Sequence, residues 1–142
     1  MVTEESEGST NRRLVRRWFE EGINGGDPTF VREFVTDDVV GHGFAGDREL
    51  HGPAELEAFF AEYFAAFPEV RYDIEELVAD DGRVATRFGV TGTHEGSFVG
   101  IEATGNEIDV PGMTTHRIDE GRVAGIHVVF DTLRFYRQLT DG

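Results

Sequence analysis

The stretch that most constrains this chain is its closing hairpin, Glu107 to Asp131, in which two long alternating runs flank Glu120-Gly121. A two-residue turn there pairs Glu107 to Asp119 with Arg122 to Asp131, so that Ile118 faces Val123 and Val110 faces Asp131. Strand side chains alternate with period two. One face of the ribbon therefore carries Val110, Gly112, Thr114, His116, Ile118, Val123, Gly125, His127, Val129 and Asp131. Two histidines and a carboxylate then point the same way among aliphatic residues, the pattern of a largely apolar pocket with a few convergent polar groups. The other face of the last strand, Ala124, Ile126, Val128 and Phe130, is equally apolar, and no helix remains to cover it. This predicts a homodimer through the convex sheet face, burying on the order of 1,200 to 2,000 Å².

Upstream, residues 1 to 9 are polar, acidic and without aromatics, and are expected to form a disordered tail, leaving one domain over residues 10 to 142. A helix is expected from about Thr10, with Leu14, Val15, Trp18, Phe19 and Ile23 on one stripe, ended by Asn24-Gly25-Gly26. Asp27-Pro28 reads as the N-cap and first residue of a short second helix carrying Phe30, Val31, Phe34 and Val35. After an extended segment and glycine-bearing loop over residues 37 to 46, Gly52-Pro53 opens a third helix. Its Leu56, Phe59, Phe60, Tyr63, Phe64 and Phe67 form a broad aromatic face, and Pro68 stops it. Strands Val70 to Ala79 and Arg83 to His94 meet at Asp80-Asp81-Gly82. A glycine-punctuated connection, Glu95 to Asn106, leads to the closing hairpin and a last helix, Thr132 to Leu139. Three helices, four long antiparallel strands and a terminal helix make an α+β domain in which helices close over one sheet face.

Composition removes several function classes. The chain holds 28 acidic and 13 basic residues, a formal charge of −15, and every basic residue is arginine. Such a surface repels phosphate backbones, so no nucleic-acid partner is expected. It also fits a high-salt cytoplasm, where screening makes dense negative charge tolerable. Without cysteine there is no disulfide, thiolate metal site or cysteine nucleophile. No apolar run approaches the ~20 residues that span a bilayer, and the polar N-terminus is unlike a signal peptide; a cytoplasmic protein with no membrane partner is expected.

The order of elements and several motifs resemble the SnoaL-like polyketide cyclase family, a branch of the superfamily that also holds nuclear transport factor two and ketosteroid isomerase. The carrying residues are Asn24-Gly25-Gly26-Asp27, Asp38-Val39-Val40 with His42, Gly52-Pro53, the run Thr91-Gly92-Thr93-His94-Glu95-Gly96-Ser97-Phe98-Val99-Gly100 with Ala103-Thr104-Gly105, and Asp119-Glu120-Gly121-Arg122-Val123 leading to Asp131 and Leu139. The resemblance runs from Asn11 onward. It implies a cone-shaped barrel of a strongly curved antiparallel sheet covered by three N-terminal helices, with a short C-terminal helix. It also implies ring closure by intramolecular aldol condensation without metal or cofactor, with an aspartate at the end of the last strand as acid and base and a histidine on the preceding strand assisting. Those positions match Asp131 and His116. Where many relatives carry tryptophan on the last strand this chain has His127, which makes the expected pocket more polar.

A base that abstracts a proton beside a carbonyl needs a raised pKa, which desolvation among Val110, Val129 and the helix aromatics would give Asp131. The same residue is also the expected N-cap of the Thr132 helix, and both roles stay open. A donor must hold the enolate oxygen, for which His116, His127 or Tyr63 is available. His42, His94, His127, Trp18 and Tyr63 are the candidate substrate-binding residues. Two histidines with an aspartate also invite a metal, but ligand atoms must converge within ~2.2 Å of one point, which these ribbon positions would do only with strong twist; no metal or cofactor is expected. The reading is a small cofactor-free cyclase or isomerase for an apolar carbonyl compound. Its rivals are a non-catalytic ligand-binding protein of the same fold and an epoxide-type hydrolase, for which only Arg87 offers the required cation near Asp131.

Overall fold

The computed structural model describes residues 6–141, and the expectation for residues 1 to 5 of the tail lies outside them. Helix α1 runs Glu7–Arg17, starting where the Ser6 side chain accepts a bond from the Ser9 amide, so residues 7 to 9 are helical rather than tail. The helix widens into a π-turn over Trp18–Gly22 and tightens into a 3₁₀ turn over Ile23–Gly25. Gly26, at φ 76°, ends it in the left-handed region, as the Asn24-Gly25-Gly26 signal implied. Asp27 then caps a 3₁₀ turn over Pro28–Phe30 that leads into the short α2, Val31–Phe34. Helix α3 spans Gly52–Ala66 and α4 spans Thr132–Thr140.

The segment read as a short extended piece and loop is a full strand, β1, Val35–Ala45, followed by β2, Arg48–His51. With β3 (Arg71–Ala79), β4 (Arg83–Thr93), β5 (Glu107–Asp119) and β6 (Arg122–Phe130) they form a six-stranded sheet in the order β2-β1-β6-β5-β4-β3. The sheet is mixed, because β1 runs parallel to β6; its other pairs are antiparallel. Register shifts interrupt β1 twice, β3 at Ile74/Glu76 and the β5–β6 pair at Arg117/Ile118, and such bulges bend a sheet into the curved, unclosed cone seen here. At the β1–β6 seam only glycine fits position 43. Its φ is 86°, and a Cβ there would lie 2.0 Å from the Val128 carbonyl oxygen.

The bulge at Arg117/Ile118 overturns the expected register of the closing hairpin. Ile118 pairs with Val123 as anticipated, but Arg117 pairs with Gly125, leaving Ala124 as an extra residue. Beyond it every β6 side chain changes face, since a one-residue slip inverts the period-two pattern. His116 faces Ile126 and Thr114 faces Val128, both directed to the helices, while His127 pairs with Thr115 on the outer face. Val110 does not face Asp131; the Asp131 amide bonds the carbonyl of Pro111. Of the row Ala124, Ile126, Val128 and Phe130, on which the homodimer expectation rested, Ala124 is buried and the other three pack in or against the core on the inner side. On the outer face β6 presents Gly125, His127 and Val129.

The inner face, α1 and α3 enclose a single aromatic core that includes Trp18, Phe19, Phe60, Phe67, Phe88 and Ile126, each at most 2 % exposed. Burial of such rings is the main favourable term holding the cone, at ~2–3 kcal/mol per fully buried large side chain.

Candidate functional site

Inside the cone lies a cavity of about 210 Å³. Trp18, Phe19 and Ile23 reach it from the first helix, Phe59, Phe60 and Tyr63 from α3, and Tyr72, Phe88, Val90, Val110, Thr114, Ile126, Val128 and Phe130 from the sheet. The π-turn has a packing consequence at its end. A Cβ on Gly22 would sit 2.4 Å from the Phe30 ring, so the glycine lets Phe30 stack edge-on against Trp18 at 4.9 Å. At the mouth stand Phe98 and Val99, with Thr132, Phe135 and Tyr136 of α4. Val99 has φ 46°, a strained value for a β-branched residue, at the turn closed by the Phe98–Ile101 bridge.

The polar groups of the cavity are neutral. Tyr63 and Tyr72 join their hydroxyls at 2.9 Å. Burial raises Tyr63 well above the ordinary tyrosine value, with the neighbouring Tyr72 adding to it, and burial pushes Tyr72 up to about 12. Only one of the two hydroxyl protons is needed for the mutual bond, so the pair keeps a second to donate. Its position is set by Asn24, whose side chain accepts from the Tyr72 amide at 2.7 Å and donates to the Tyr72 carbonyl at 2.9 Å. Strand β3 is a sheet edge, and Asn24 satisfies its free backbone groups as another strand would. Across the cavity Thr114 offers a buried hydroxyl with no partner among the described residues, next to Thr86, which likewise has none there. Among the described residues no carboxylate, arginine or histidine lines the cavity.

The structure disperses the expected constellation. His116 points inward but is fully buried beneath Trp18 and Phe19, at 5.6 and 5.8 Å between ring centroids, and both its nitrogens lack a partner among the described residues. Burial lowers its pKa to about 3, so it is neutral at neutral pH and a weak base. Asp131 is exposed, and its Oδ1 accepts from the Arg134 amide as the N-cap of α4. Of the two roles left open for it, capping is the one its geometry displays.

His94 is buried and does not line the cavity. Its Nδ1 accepts from the Thr104 amide at 3.3 Å while its ring lies on Phe67, tying down the connection before β5. From that connection Asn106 bonds the carbonyls of Gln138, Leu139 and Asp141 and closes the C-terminal end of α4. His42 and His127 stack on the outer face, 4.1 Å apart, away from the cavity. Arg87 pairs with Glu75 and Glu76, not with Asp131. Trp18 and Tyr63 are the anticipated binding residues that the cavity brings together.

Sequence reasoning missed Tyr72 as the partner of Tyr63, and it missed the role of Asn24. A tyrosine at an alternating inward position of β3 was the available signal. The bulge had signals as well: Gly125 inside a strand, and the more apolar of the two possible faces in the set Ile126, Val128 and Phe130.

Among curated proteins none matches the chain. Solved structures do. A candidate SnoaL-like polyketide cyclase of Jannaschia sp. CCS1 superposes with a TM-score of 0.87 at 23% identity, covering 100% of this chain and 99% of its own. A SnoaL-like polyketide cyclase of Agrobacterium tumefaciens gives 0.72 at 20% identity, covering 96% and 99%. IdmH of Streptomyces antibioticus, a candidate polyketide cyclase, gives 0.75 at 26% identity, covering 89% and 96%. The family model for SnoaL-like polyketide cyclases matches residues 13–139, nearly the whole described domain, and the chain belongs to that family.

Proposed function

We propose that this chain binds a small apolar carbonyl compound inside the cone, with the carbonyl oxygen taking a hydrogen bond from the Tyr63–Tyr72 pair. The observation that carries this reading is the aromatic cavity whose donors are two buried phenols and a threonine, with no charged group among the described lining residues. Neutral phenols polarise a carbonyl without the cost of burying an ion. The size of the cavity restricts the ligand. A dry cavity of ~150 Å³ admits benzene, so about 210 Å³ suits a frame of one or two rings.

Catalysis of the cyclase or isomerase kind is a second reading, supported by the placement of Asp131 between Phe130 and Thr132, which both line the cavity. A carboxylate at the rim can serve a ligand that projects out of the mouth. The acidic, lysine-free surface supports action in concentrated salt.

α-Tetralone and its carbonyl-free counterpart tetralin test the binding reading, with Trp18, the sole tryptophan, as the fluorescent reporter. Saturable quenching by both is expected, with tetralone the tighter ligand. Tyr72→Phe should weaken tetralone about tenfold, the value of one good hydrogen bond, and leave tetralin unchanged. Equal affinities in wild type would remove the carbonyl from the proposal. Exchange of the α-hydrogens of tetralone into deuterated water separates the two readings. Exchange that is lost in Asp131→Asn supports proton transfer at the rim, and its absence in wild type leaves binding alone. Asparagine still caps a helix, so this variant should melt within ~1 kcal/mol of wild type.

A further inference from the structure

We propose that the outer face of the sheet holds a second site, a basin that binds a small oxyanion of the phosphate type. The strand registers place Arg83, Arg117 and Gly125 in one rung across β4, β5 and β6, and Thr115, His127 and His42 in the next rung across β5, β6 and β1. Together with Glu49 and Val40 they surround a hollow of about 230 Å³.

The hollow is built by the β6 bulge. Gly125 has no side chain, and a Cβ there would come within 3.5 Å of the Arg117 Nε, so the guanidinium lies across the glycine. One of its nitrogens donates to the carbonyl of Ala124, the extra residue of the bulge, at 3.4 Å. Among the described residues the other N–H groups of that fork have no hydrogen-bond partner and can serve a ligand. His42 and His127 stack nearly parallel, 7° between planes, and His42 Nδ1 lies 3.5 Å from the Glu49 carboxylate.

What sets this arrangement apart is that two guanidiniums without a carboxylate pair among the described residues share one rung and one hollow. The chain carries more than twice as many acidic as basic residues, 28 against 13, and Arg16, Arg17, Arg32, Arg71 and Arg87 all pair with carboxylates. Among the described residues neither Arg83 nor Arg117 has such a pair. Arg83 acts on Asp80 only through its field, the Asp80 carboxylate being bonded to the Gly82 and Arg83 amides. Among the described residues that line the hollow, the carboxylate is that of Glu49, 3.5 Å from His42 Nδ1. Two unpaired guanidiniums, two imidazoles and the Thr115 hydroxyl therefore face the same space. Planar guanidinium forks match phosphate oxygens with paired hydrogen bonds. The formal charge of −15 repels polyanions at a distance, and only a compact anion gains enough at contact to enter. The cavity on the inner face plays no part in this site.

The test follows the histidine ring resonances during titration with inorganic phosphate, at an ionic strength held constant with sodium chloride. Saturable shifts of His42 and His127 are expected at millimolar phosphate, with the buried rings of His94 and His116 unmoved. Arg83→Gln and Arg117→Gln should each weaken the response about tenfold, as loss of a charge-assisted bond does. Among the described residues Arg83 supplies no side-chain hydrogen bond to the fold, so its variant remains informative if Arg117→Gln disturbs the bulge. Glucose 6-phosphate binding tighter than inorganic phosphate would assign the basin to a phosphorylated metabolite, and the reverse order to the free anion. A response that fails to saturate, or that persists in the double variant, overturns the proposal.

Discussion

The two faces of the one sheet follow opposite rules. The inner face presents His116, Thr114, Thr86 and Tyr72 to an aromatic interior, and each of these polar groups is held neutral by burial or is neutral by nature. The outer face presents Arg83, Arg117, His42, His127 and Glu49 to water, where charge is inexpensive. Strand β5 serves both at once, alternating exposed and buried residues from Glu107 to Arg117. The inner face can thus offer hydrogen bonds to an apolar ligand, and the outer face attraction to a charged one. Which face a β6 residue joins depends on a single extra residue, Ala124.

The sharpest way to break this comparison is to truncate neighbours on opposite sides of β6. Ile126 is fully buried and His127 exposed. Ile126→Ala should cost ~2–5 kcal/mol in urea unfolding, and His127→Ala no more than ~0.5. Comparable losses, or the reverse order, would restore the unbulged register.

A smaller effect, graded with pH, comes from the buried ring of the inner face. An unfolded chain protonates a histidine near pH 6.5, whereas folded His116 stays neutral to about pH 3. Between these values the unfolded state binds the extra proton. Stability from the neutral ring is therefore complete above pH 6.5 and declines as the pH falls, by at most ~1.4 kcal/mol per unit. In His116→Leu the acid limb of the stability profile should flatten. An unchanged profile in His116→Leu would mean that His116 is hydrated or otherwise partnered in solution.

Asn24→Ala carries the smallest expected change, a loss of ~1–2 kcal/mol from two hydrogen bonds at the edge of β3. Because those bonds place Tyr72, tetralone affinity should fall in this variant although both phenols remain. Wild-type affinity in a destabilised Asn24→Ala would show that the Tyr63–Tyr72 pair is positioned without it.

Much of the architecture was legible because it rests on local chemistry. Gly26 ends the first helix in a left-handed conformation, Pro28 sits at a helix start, and Asp80-Asp81-Gly82 and Glu120-Gly121 turn the two hairpins. Each depends on residues within a few positions of one another. The run of rings in α3 likewise announced an aromatic interior, since helical spacing alone places Leu56, Phe60, Tyr63 and Phe64 on one side. Even so, the sequence shows only a short extended segment and a loop where β1 runs, because Gly41, Gly43 and Gly46 look like loop residues until the parallel neighbour that requires the second of them is present.

The sequence by itself therefore determined the α+β order, the turns, the aromatic filling and the acidic shell. Tertiary structure alone decided which of two apolar alternations of β6 turned inward. Val123, Gly125, His127 and Val129 on one side and Ala124, Ile126, Val128 and Phe130 on the other both satisfy period two, and a bulge is a property of two strands that neither contains alone. That choice sent His127 to the outer basin, left Asp131 as a cap at the cavity rim, and gave the interior to Tyr63 and Tyr72, which lie nine residues apart in sequence and meet only where α3 closes over β3.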